Sequence, residues 1–351
     1  MVFESADIQT MIMLFERNST DDGYTFEYRT LLADAQNADM LALLGRQPTQ
    51  KTKYLSPKII RSNYANRLLT FSENDSLFEK IAKGKEFLSK DEVAQGIVFP
   101  QDFLDKKGAA KLGKTFSAGD SIFGLTQEKL QELSLTKQEK TLIKPYYTSE
   151  QIHRNFVEPK NSKWVIYTDS SFKKKDSMND YPNLKRHLDK YVPILTSDNK
   201  PYGLHRAREE RFFQGEKILS LRKCVEKPTF SWCNFDTYVT QTYFIIQTSR
   251  WNMKFLTGVL NSKLIAYWLK HKGKMQGANY QVDKEPLLGI PLPKNPTATQ
   301  QKPVIALVDK ILAAKKQDPA ADTSALEAQI DGLVYALYGL TAEEIAVVEG
   351  R

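Results

Sequence analysis

The sequence has very little cysteine and no long apolar run. Its 351 residues include two cysteines, Cys224 and Cys233, which excludes a disulfide framework and a cysteine-rich zinc site. No stretch of 18 apolar residues occurs, so no membrane-spanning helix is predicted. The first 17 residues carry acidic side chains and no basic segment, which does not fit a secretory signal. A cytoplasmic location is therefore expected.

Motifs for the common kinds of catalysis are also absent. Without a G-x-G-x-x-G or Walker sequence, no phosphate-binding loop is predicted. The tetrapeptide from Lys144 to Tyr147 resembles the N-P-P-Y turn of amino-methylating enzymes, but it lacks the Asn or Asp that accepts hydrogens from the target amine. The sequence contains four histidines, His153, His187, His205 and His271, which are far apart and do not have metal-ligand spacing. Each is expected to lie on the surface or in a loop. We therefore assign no catalytic residue and no metal site.

Positive charge is concentrated in one part of the chain. The net charge is +8, but residues 1–140 hold 19 Lys and Arg against 20 Asp and Glu. Residues 141–290 hold 25 against 14, a net charge of +11, and residues 291–351 hold 6 against 8. An excess confined to one region indicates a polyanionic partner, although a solvated lysine-rich face is the alternative interpretation.

The first 45 residues predict a fragment of a sheet. An apolar run at residues 10–15 and an alternating pattern at residues 24–29 each predict a strand, and a helix is predicted over residues 31–44. Two strands and one helix cannot bury a sheet by themselves. They are therefore expected to be the last elements of a larger sheet, so the chain is expected to start within a domain.

The pattern changes twice further along the chain. Residues 46–140 predict loops and short helices, among them residues 77–88 and 126–133. Residues 141–293 predict strands interrupted by one helix over residues 253–270. A proline-rich hinge at residues 290–296 leads to amphipathic helices, with Gly339 as a C-cap and Thr341 opening a last helix.

The basic region contains residues suited to DNA. Lysine and arginine neutralise phosphates, arginine can also bind guanine edges, and glutamine or asparagine can bind adenine edges. Each residue alone is most simply a solvated loop side chain, but the set favours nucleic acid. The candidate DNA-binding residues are Lys173, Lys174, Lys175, His205, Arg206, Arg208, Arg211, Lys272, Lys274, Gln276, Asn279 and Tyr280.

Several short segments carry a family resemblance through their order. They are residues 143–147, 164–167, 211–218, 260–267, 289–293 and 330–341. Together they resemble the TaqI-like C-terminal specificity domain, the target recognition domain of adenine-specific DNA methyltransferases of type II restriction–modification systems, including fused type IIG enzymes.

The resemblance implies an α+β fold in four parts. Residues 1–45 would be the tail of a Rossmann-like methyltransferase sheet, 46–140 a helical and loop connector, 141–293 a mixed, β-rich target recognition domain, and 294–351 C-terminal helices. The parent enzyme would transfer a methyl group from S-adenosylmethionine to adenine N6 after flipping the base. The family's methyl-donor loop and N-P-P-Y motif lie upstream of these segments, so this fragment is expected to need no cofactor and to have no activity alone.

Two other functions stay open at this stage. A free-standing specificity subunit of a type I system also ends a recognition domain with an I-P-L-P-like turn, a glutamine (here Gln300 and Gln301) and a long helix. Such a subunit would carry a second recognition domain. An RNA-binding or structural basic domain is the third reading. The expected partners are double-stranded DNA and an upstream methyltransferase domain of the same polypeptide, with no membrane.

Overall fold

A computed structural model of the protein describes residues 23–32, 34–56, 58–60, 75–98 and 101–351. The chain divides into two compact units, residues 1–81 and 82–351. Within the described ranges there are sixteen strands and eleven helices, so the fold mixes helices and sheets as the sequence predicts. In these same ranges, no helix combines the length and apolar character that crossing a membrane requires.

The first unit contains two antiparallel strand pairs within its described part. Strand β1 (Gly23–Thr25) pairs with β4 (Lys58–Ile60), and β2 (Tyr28–Leu31) pairs with β3 (Thr52–Leu55). Helix α1 (Asn37–Leu44) starts six residues later than predicted, after a capping box between Gln36 and Asp39. The predicted strand at residues 10–15 lies outside the described residues. The described strands do not by themselves show a Rossmann-like sheet.

A six-stranded sheet forms the centre of the second unit. Its strands, in spatial order, are β5 (Val93–Gln95), β14 (Tyr243–Ile246), β11 (Lys217–Leu221), β13 (Phe230–Cys233), β9 (Asn155–Val157) and β8 (Ile152–His153). The β9–β13 pair is parallel and the other pairs are antiparallel. All four residues of β14 are buried, which is the pattern of a strand covered on both faces.

Two smaller antiparallel sheets complete the strands. One contains β6 (Gly124–Thr126), β10 (Lys163–Ile166) and β7 (Ile143–Tyr146), and the other contains β12 (Lys223–Cys224), β16 (Asn279–Gln281) and β15 (Met275–Gln276). Tyr238 links β7 to the central sheet, because its amide donates to the Pro145 carbonyl at 3.1 Å and its carbonyl accepts from the Tyr147 amide at 2.9 Å.

Residues 46–140 were predicted to be a connector of helices and loops, but its second half also contributes strands to two sheets. Residues 82–140 supply β5 to the central sheet and β6 to a second sheet. They also supply core side chains, including Ile97, Ile122 and Leu125, each of which is fully buried. The sequence did not predict β5, because this strand has three residues and pairs with β14, about 150 positions further along the chain. Such a pairing leaves no local signal.

The helices lie mainly in the second unit. Those after α1 are α2 (Asp75–Ala82), α3 (Lys106–Leu112), α4 (Gln127–Glu132), α5 (Pro182–Asp189), α6 (Met253–Leu260), α7 (Lys263–Lys272), α8 (Lys284–Leu288), α9 (Ala298–Gln317), α10 (Ser324–Tyr338) and α11 (Ala342–Glu349). The single helix predicted over residues 253–270 is therefore two. The break lies at Asn261, whose side-chain amide bonds both backbone groups of Phe230, and at Ser262, which caps α7.

The predicted hinge at residues 290–296 begins with a clamped segment, since residues 290–293 are all buried. The indole N–H of Trp251 donates to the Pro293 carbonyl at 2.7 Å, and the Tyr338 hydroxyl donates to the Pro291 carbonyl at 2.6 Å. These bonds place α9 and the following helices in the same unit as the central sheet. The expected boundaries at 45/46, 140/141 and 293/294 remain predictions.

Gly339 ends α10 in the left-handed conformation at φ 67°, and Thr341 caps α11, so both predicted caps are confirmed.

Gly96, directly after β5, packs against the backbone of Val239 and Thr240. A Cβ atom there would lie 2.1 Å from the Thr240 carbonyl oxygen, so Gly96→Ala should lower the free energy of unfolding by about 2–3 kcal/mol. Gly332→Ala is the control, because nothing lies within 4 Å of a Cβ on that face of α10 and alanine should stabilise the helix by about 0.5–1 kcal/mol. Urea unfolding of both variants measures the difference, and equal effects would contradict the proposed contact.

His187 is a core residue, so its expected surface or loop position was wrong. Its side chain is 1% exposed, and its Nε2–H donates to the Ile122 carbonyl at 2.8 Å. Burial lowers the pKa of His187 to about 4 from 6.5, although the hydrogen bond to Ile122 opposes that shift. The imidazole therefore stays neutral in the folded protein under mildly acidic conditions.

The buried imidazole makes stability depend on pH. The unfolded chain binds a proton at His187 below about pH 6.5 while the folded chain does not until about pH 4. As the pH is lowered from about 6.5 to about 4, the free energy of unfolding should therefore fall, with up to about 3 kcal/mol of the loss due to His187. His187→Gln keeps an N–H donor but does not titrate. Urea unfolding between pH 7.5 and pH 5 should give converging curves for the two proteins, whereas parallel curves would contradict the assignment.

Candidate nucleic-acid interface

The segment from His205 to Arg211 is held against the central sheet by its backbone. Arg206 and Val98 exchange two backbone hydrogen bonds of 3.0 Å each. The Tyr167 hydroxyl lies 3.3 Å from the Ala207 carbonyl and 2.9 Å from the Arg208 carbonyl. These contacts fix where each of the three arginine side chains begins.

The three arginines of this segment have different surroundings. Arg206 is exposed, and its side chain makes no hydrogen bond or ion pair with the described residues. Arg208 is half-buried and donates from Nη2 to Gln95 Oε1 at 2.8 Å. Arg211 donates from Nε to Glu209 at 2.9 Å and from Nη2 to the Asp91 carbonyl at 2.9 Å. Of the three, Arg211 is therefore the one held by a carboxylate.

Glu210 binds Lys144 of strand β7 and Tyr238 rather than an arginine. Its carboxylate lies 2.8 Å from Lys144 Nζ and accepts from the Tyr238 hydroxyl at 2.6 Å. Burial raises the pKa of Glu210, but these two donors outweigh burial and leave the pKa below its ordinary value. The tetrapeptide that begins at Lys144 is therefore part of strand β7 and of the support beneath this segment.

The lysine run begins beside the same segment. Thr168 accepts from the Leu204 amide at 3.1 Å, and its hydroxyl donates to the Tyr202 carbonyl at 2.6 Å. A turn of 3-10 helix follows (Ser170–Lys173) and leads to Lys174 and Lys175. All three lysines are exposed, and no acidic side chain of the described residues pairs with them. We call Lys173, Lys174, Lys175 and Arg206 the basic patch.

His205 stays close to a surface carboxylate. Its Nδ1 accepts from the Asp198 amide at 3.3 Å and lies 3.5 Å from Asp198 Oδ2. The ring is half-buried beside the basic patch. Among the described residues, the structure contains no group of three or more side chains arranged to hold a metal ion.

A polar cleft of about 710 Å³ lies beside β5 and β14. Five basic and four acidic residues line it, together with the apolar residues Val93, Phe212 and Phe244. The charged residues are Lys90, Arg208, Arg211, Arg222 and Lys284, and Asp91, Glu209, Asp283 and Glu285. Of these nine, Arg208 and Arg211 were predicted from the sequence as DNA-binding residues. The others carry no local signal, since chain positions from 90 to 285 meet here.

The hairpin of β15 and β16 presents two further predicted residues. Gln276 and Asn279 are exposed at its end, next to Gly277 at φ 58°. Tyr280, also a candidate DNA-binding residue, is 7% exposed, so its ring offers no face on which a base could stack. Lys272 is half-buried at the end of α7, and Lys274 is exposed at the start of the hairpin.

Asp283 connects this hairpin to the cleft. Its two carboxylate oxygens accept from Arg222 Nε and Gln281 Nε2, each at 2.6 Å, and Lys274 Nζ lies 3.7 Å away. Burial raises the pKa of Asp283, but the hydrogen bonds from Arg222 and Gln281 outweigh burial and keep the pKa below its usual value. One carboxylate thus positions both the hairpin and an arginine of the cleft.

One known domain family matches the part of the chain that contains these residues. Residues 144–292 match the profile of the TaqI-like C-terminal specificity domain. We call this matched stretch the specificity domain. The expected resemblance is confirmed, and all the predicted DNA-binding residues lie inside the specificity domain. The cleft also includes β5, which precedes the matched residues.

The solved structures similar to the chain include two restriction–modification enzymes. The type IIL restriction-modification enzyme MmeI, solved in complex with DNA, matches over 85% of this chain and 39% of its own, with a TM-score of 0.53 and 13% identity. The type IIG restriction endonuclease BpuSI matches over 85% of this chain and 37% of its own, with a TM-score of 0.35 and 13% identity. The likeness to MmeI shows a shared fold. The search of curated proteins found no significant match.

Removing the charge of Asp283 should loosen the hairpin. In Asp283→Asn, Arg222 and Lys274 lose their anionic partner, so backbone amides of residues 275–281 should exchange with deuterium about 5- to 30-fold faster, while those of β11 keep their protection. Asp309→Asn is the control, because Asp309 pairs with Lys254 on the surface of another part of the unit. Unchanged exchange in the hairpin of Asp283→Asn would show that Asp283 does not position it.

Proposed function

We propose that the chain is the target-recognition part of an adenine-N6 DNA methyltransferase of a type II restriction–modification system, and that it binds duplex DNA at a specific sequence. The specificity domain at residues 144–292 carries the proposal. The net charge of +11 over residues 141–290 supports it, because a DNA duplex is a dense polyanion. The fold shared with MmeI, which was solved with DNA, supports it further.

The basic patch would hold the duplex by its phosphates. Its four cations are exposed, and no carboxylate of the described residues neutralises them. A cation of this kind attracts phosphate from any sequence and releases the counterions condensed on the duplex. The patch would therefore contribute affinity and orientation, and it would not distinguish one sequence from another.

Other residues would read the sequence. Gln276 and Asn279 stand at the end of a narrow two-stranded hairpin, and a β-ribbon of this kind fits the major groove of DNA. Their amides suit the edge of adenine, which presents one donor and one acceptor. Lys272 and Lys274 lie at the base of the same hairpin, where they would contact the flanking phosphates.

Methyl transfer would belong to another part of the enzyme. The proposal places an upstream methyltransferase domain in the same polypeptide, with a Rossmann-like sheet to which residues 1–45 contribute. That domain would bind S-adenosylmethionine and supply the methyl group to adenine N6. The residues of this chain would select the site and orient the duplex, in the cytoplasm where the cellular DNA lies.

A type I specificity subunit is the second candidate. Helix α9 favours it, because a helix of twenty residues starts four residues after the I-P-L-P segment and Gln300 forms a capping box with Thr297. Long helices in this position join the recognition domains of such subunits. An N-P-P-Y motif upstream in the same reading frame would establish the methyltransferase, and a second recognition domain in that frame would establish the subunit.

Salt dependence tests the duplex-binding surface. If about five to eight cations contact phosphates, the log–log slope of affinity against salt should be roughly −5 to −7. Replacing Lys173, Lys174 and Lys175 by alanine should flatten the slope by about 3 and weaken binding to all duplexes alike. The control replaces Lys302, Lys310 and Lys316 of α9, which removes the same charge from exposed positions. Equal effects of the two triple variants would contradict a localised interface.

A further inference from the structure

Arg208 has an unfavourable backbone conformation. Its φ is 72°, in the left-handed region that residues with a Cβ atom rarely adopt. The conformation is held from both sides, by the pairing of Arg206 with Val98 and by the Tyr167 hydroxyl on the Arg208 carbonyl. Backbone strain of this kind is retained where a side chain must point in a particular direction. Here the direction is into the cleft.

The guanidinium of Arg208 is oriented by two neutral oxygen atoms. Nη2 donates to Gln95 Oε1 at 2.8 Å, and Nε lies 3.5 Å from the Gly96 carbonyl oxygen. In the described part of the chain, no carboxylate lies within ion-pairing distance of it. The other arginines of the cleft do have carboxylates, Glu209 for Arg211 and Asp283 for Arg222. Nη1 and the second hydrogen of Nη2 therefore remain as a fork of donors on a half-buried cation.

The charges of the cleft favour a base edge over a phosphate. Five cations and four carboxylates line it, so their charges nearly cancel and the cleft attracts the anionic backbone of DNA only weakly. The edge of a G·C pair in the major groove presents two acceptors on guanine and an amino donor on cytosine, so it suits a cleft that holds both cations and carboxylates. The basic patch, where no acidic partner occurs among the described residues, suits the phosphates instead.

We propose that Arg208 reads a guanine of the target duplex through paired hydrogen bonds to O6 and N7, with Gln95 as a positioning residue that fixes the plane of the guanidinium. The inference rests on the proposed function, because it names a base that the recognition surface selects. It also extends the recognition surface to β5, beyond the residues that match the family profile.

The test selects preferred sequences from a randomised duplex library with the full 351-residue chain. The unaltered chain should select a sequence that contains a guanine. Arg208→Gly removes the side chain and relieves the backbone strain, so it should fold at least as stably, which urea unfolding checks. On the selected duplex its affinity should fall about 5- to 150-fold, and its own selection should lose the preference for guanine at one position. Arg208→Lys should lose the same preference, because lysine has no fork.

Two further variants separate base reading from other roles. Gln95→Ala should relax the choice of base at the same position while binding to random duplexes stays unchanged, which a merely structural role would not produce. Arg206→Ala should weaken binding to every duplex and keep the selected sequence, since Arg206 belongs to the basic patch.

The outcomes that contradict the inference are distinct from one another. If Arg208→Gly and Arg208→Lys select the same guanine as the unaltered chain, the inference is wrong and the proposed function stands. If Arg208→Gly weakens selected and random duplexes equally, Arg208 contacts phosphate and the inference is again wrong. If the unaltered chain binds no duplex, the proposed function fails and the inference fails with it.

Discussion

Tyr238 stacks on Phe213 with 5.0 Å between ring centroids, and its hydroxyl donates to Glu210 at 2.6 Å. Tyr167 packs edge-on against the same two rings and holds the carbonyls on either side of the Ala207–Arg208 bond. This aromatic cluster is the support beneath the segment that carries the arginines. Because its rings are buried, the segment has one position on the sheet, and the cations follow from it.

The same segment therefore serves two surfaces of different charge. Arg206 is exposed next to the lysine run, whereas Arg208, two residues later, points into the cleft beside carboxylates. Phosphates carry the same charge along the whole duplex, so a patch of one sign is enough to bind them. Base edges differ in their donors and acceptors, so reading them requires groups of both kinds in fixed positions.

The folded unit is larger than the specificity domain that it contains. Strand β5 pairs along the edge of the central sheet, and Glu86 exchanges two backbone hydrogen bonds with Leu292. Arg250 also binds Glu92, which lies directly before β5. This ion pair and the hydrogen bonds from Ser89 and Thr248 lower the pKa of Glu92 to about 2 despite its burial. Residues from 82 onward and the C-terminal helices are thus structural parts of the same unit as the specificity domain. An exchange of specificity between related proteins would have to keep these contacts.

The sequence by itself determined the features that depend on neighbouring residues and on composition. Hydrophobic pattern predicted the strands of residues 141–293, local capping residues placed the end of α10 and the start of α11, and the charge count located the basic region. The order of short segments identified the specificity domain, because a family pattern survives in sequence even where the individual motifs are loose. These signals lie within a few residues of one another or in totals over a region.

Only the tertiary structure decided which distant residues meet. It showed that β5 joins the central sheet, that His187 and Tyr280 are buried, and that a predicted single helix breaks at Asn261 to bond Phe230. It also gave two arginines their distant partners, the Gln95 side chain for Arg208 and the Asp91 carbonyl for Arg211. A partner more than 100 positions away leaves no trace in local pattern, because burial and pairing depend on the packing of the whole chain. The residues that hold a cation in place are therefore visible only once the sheet is assembled.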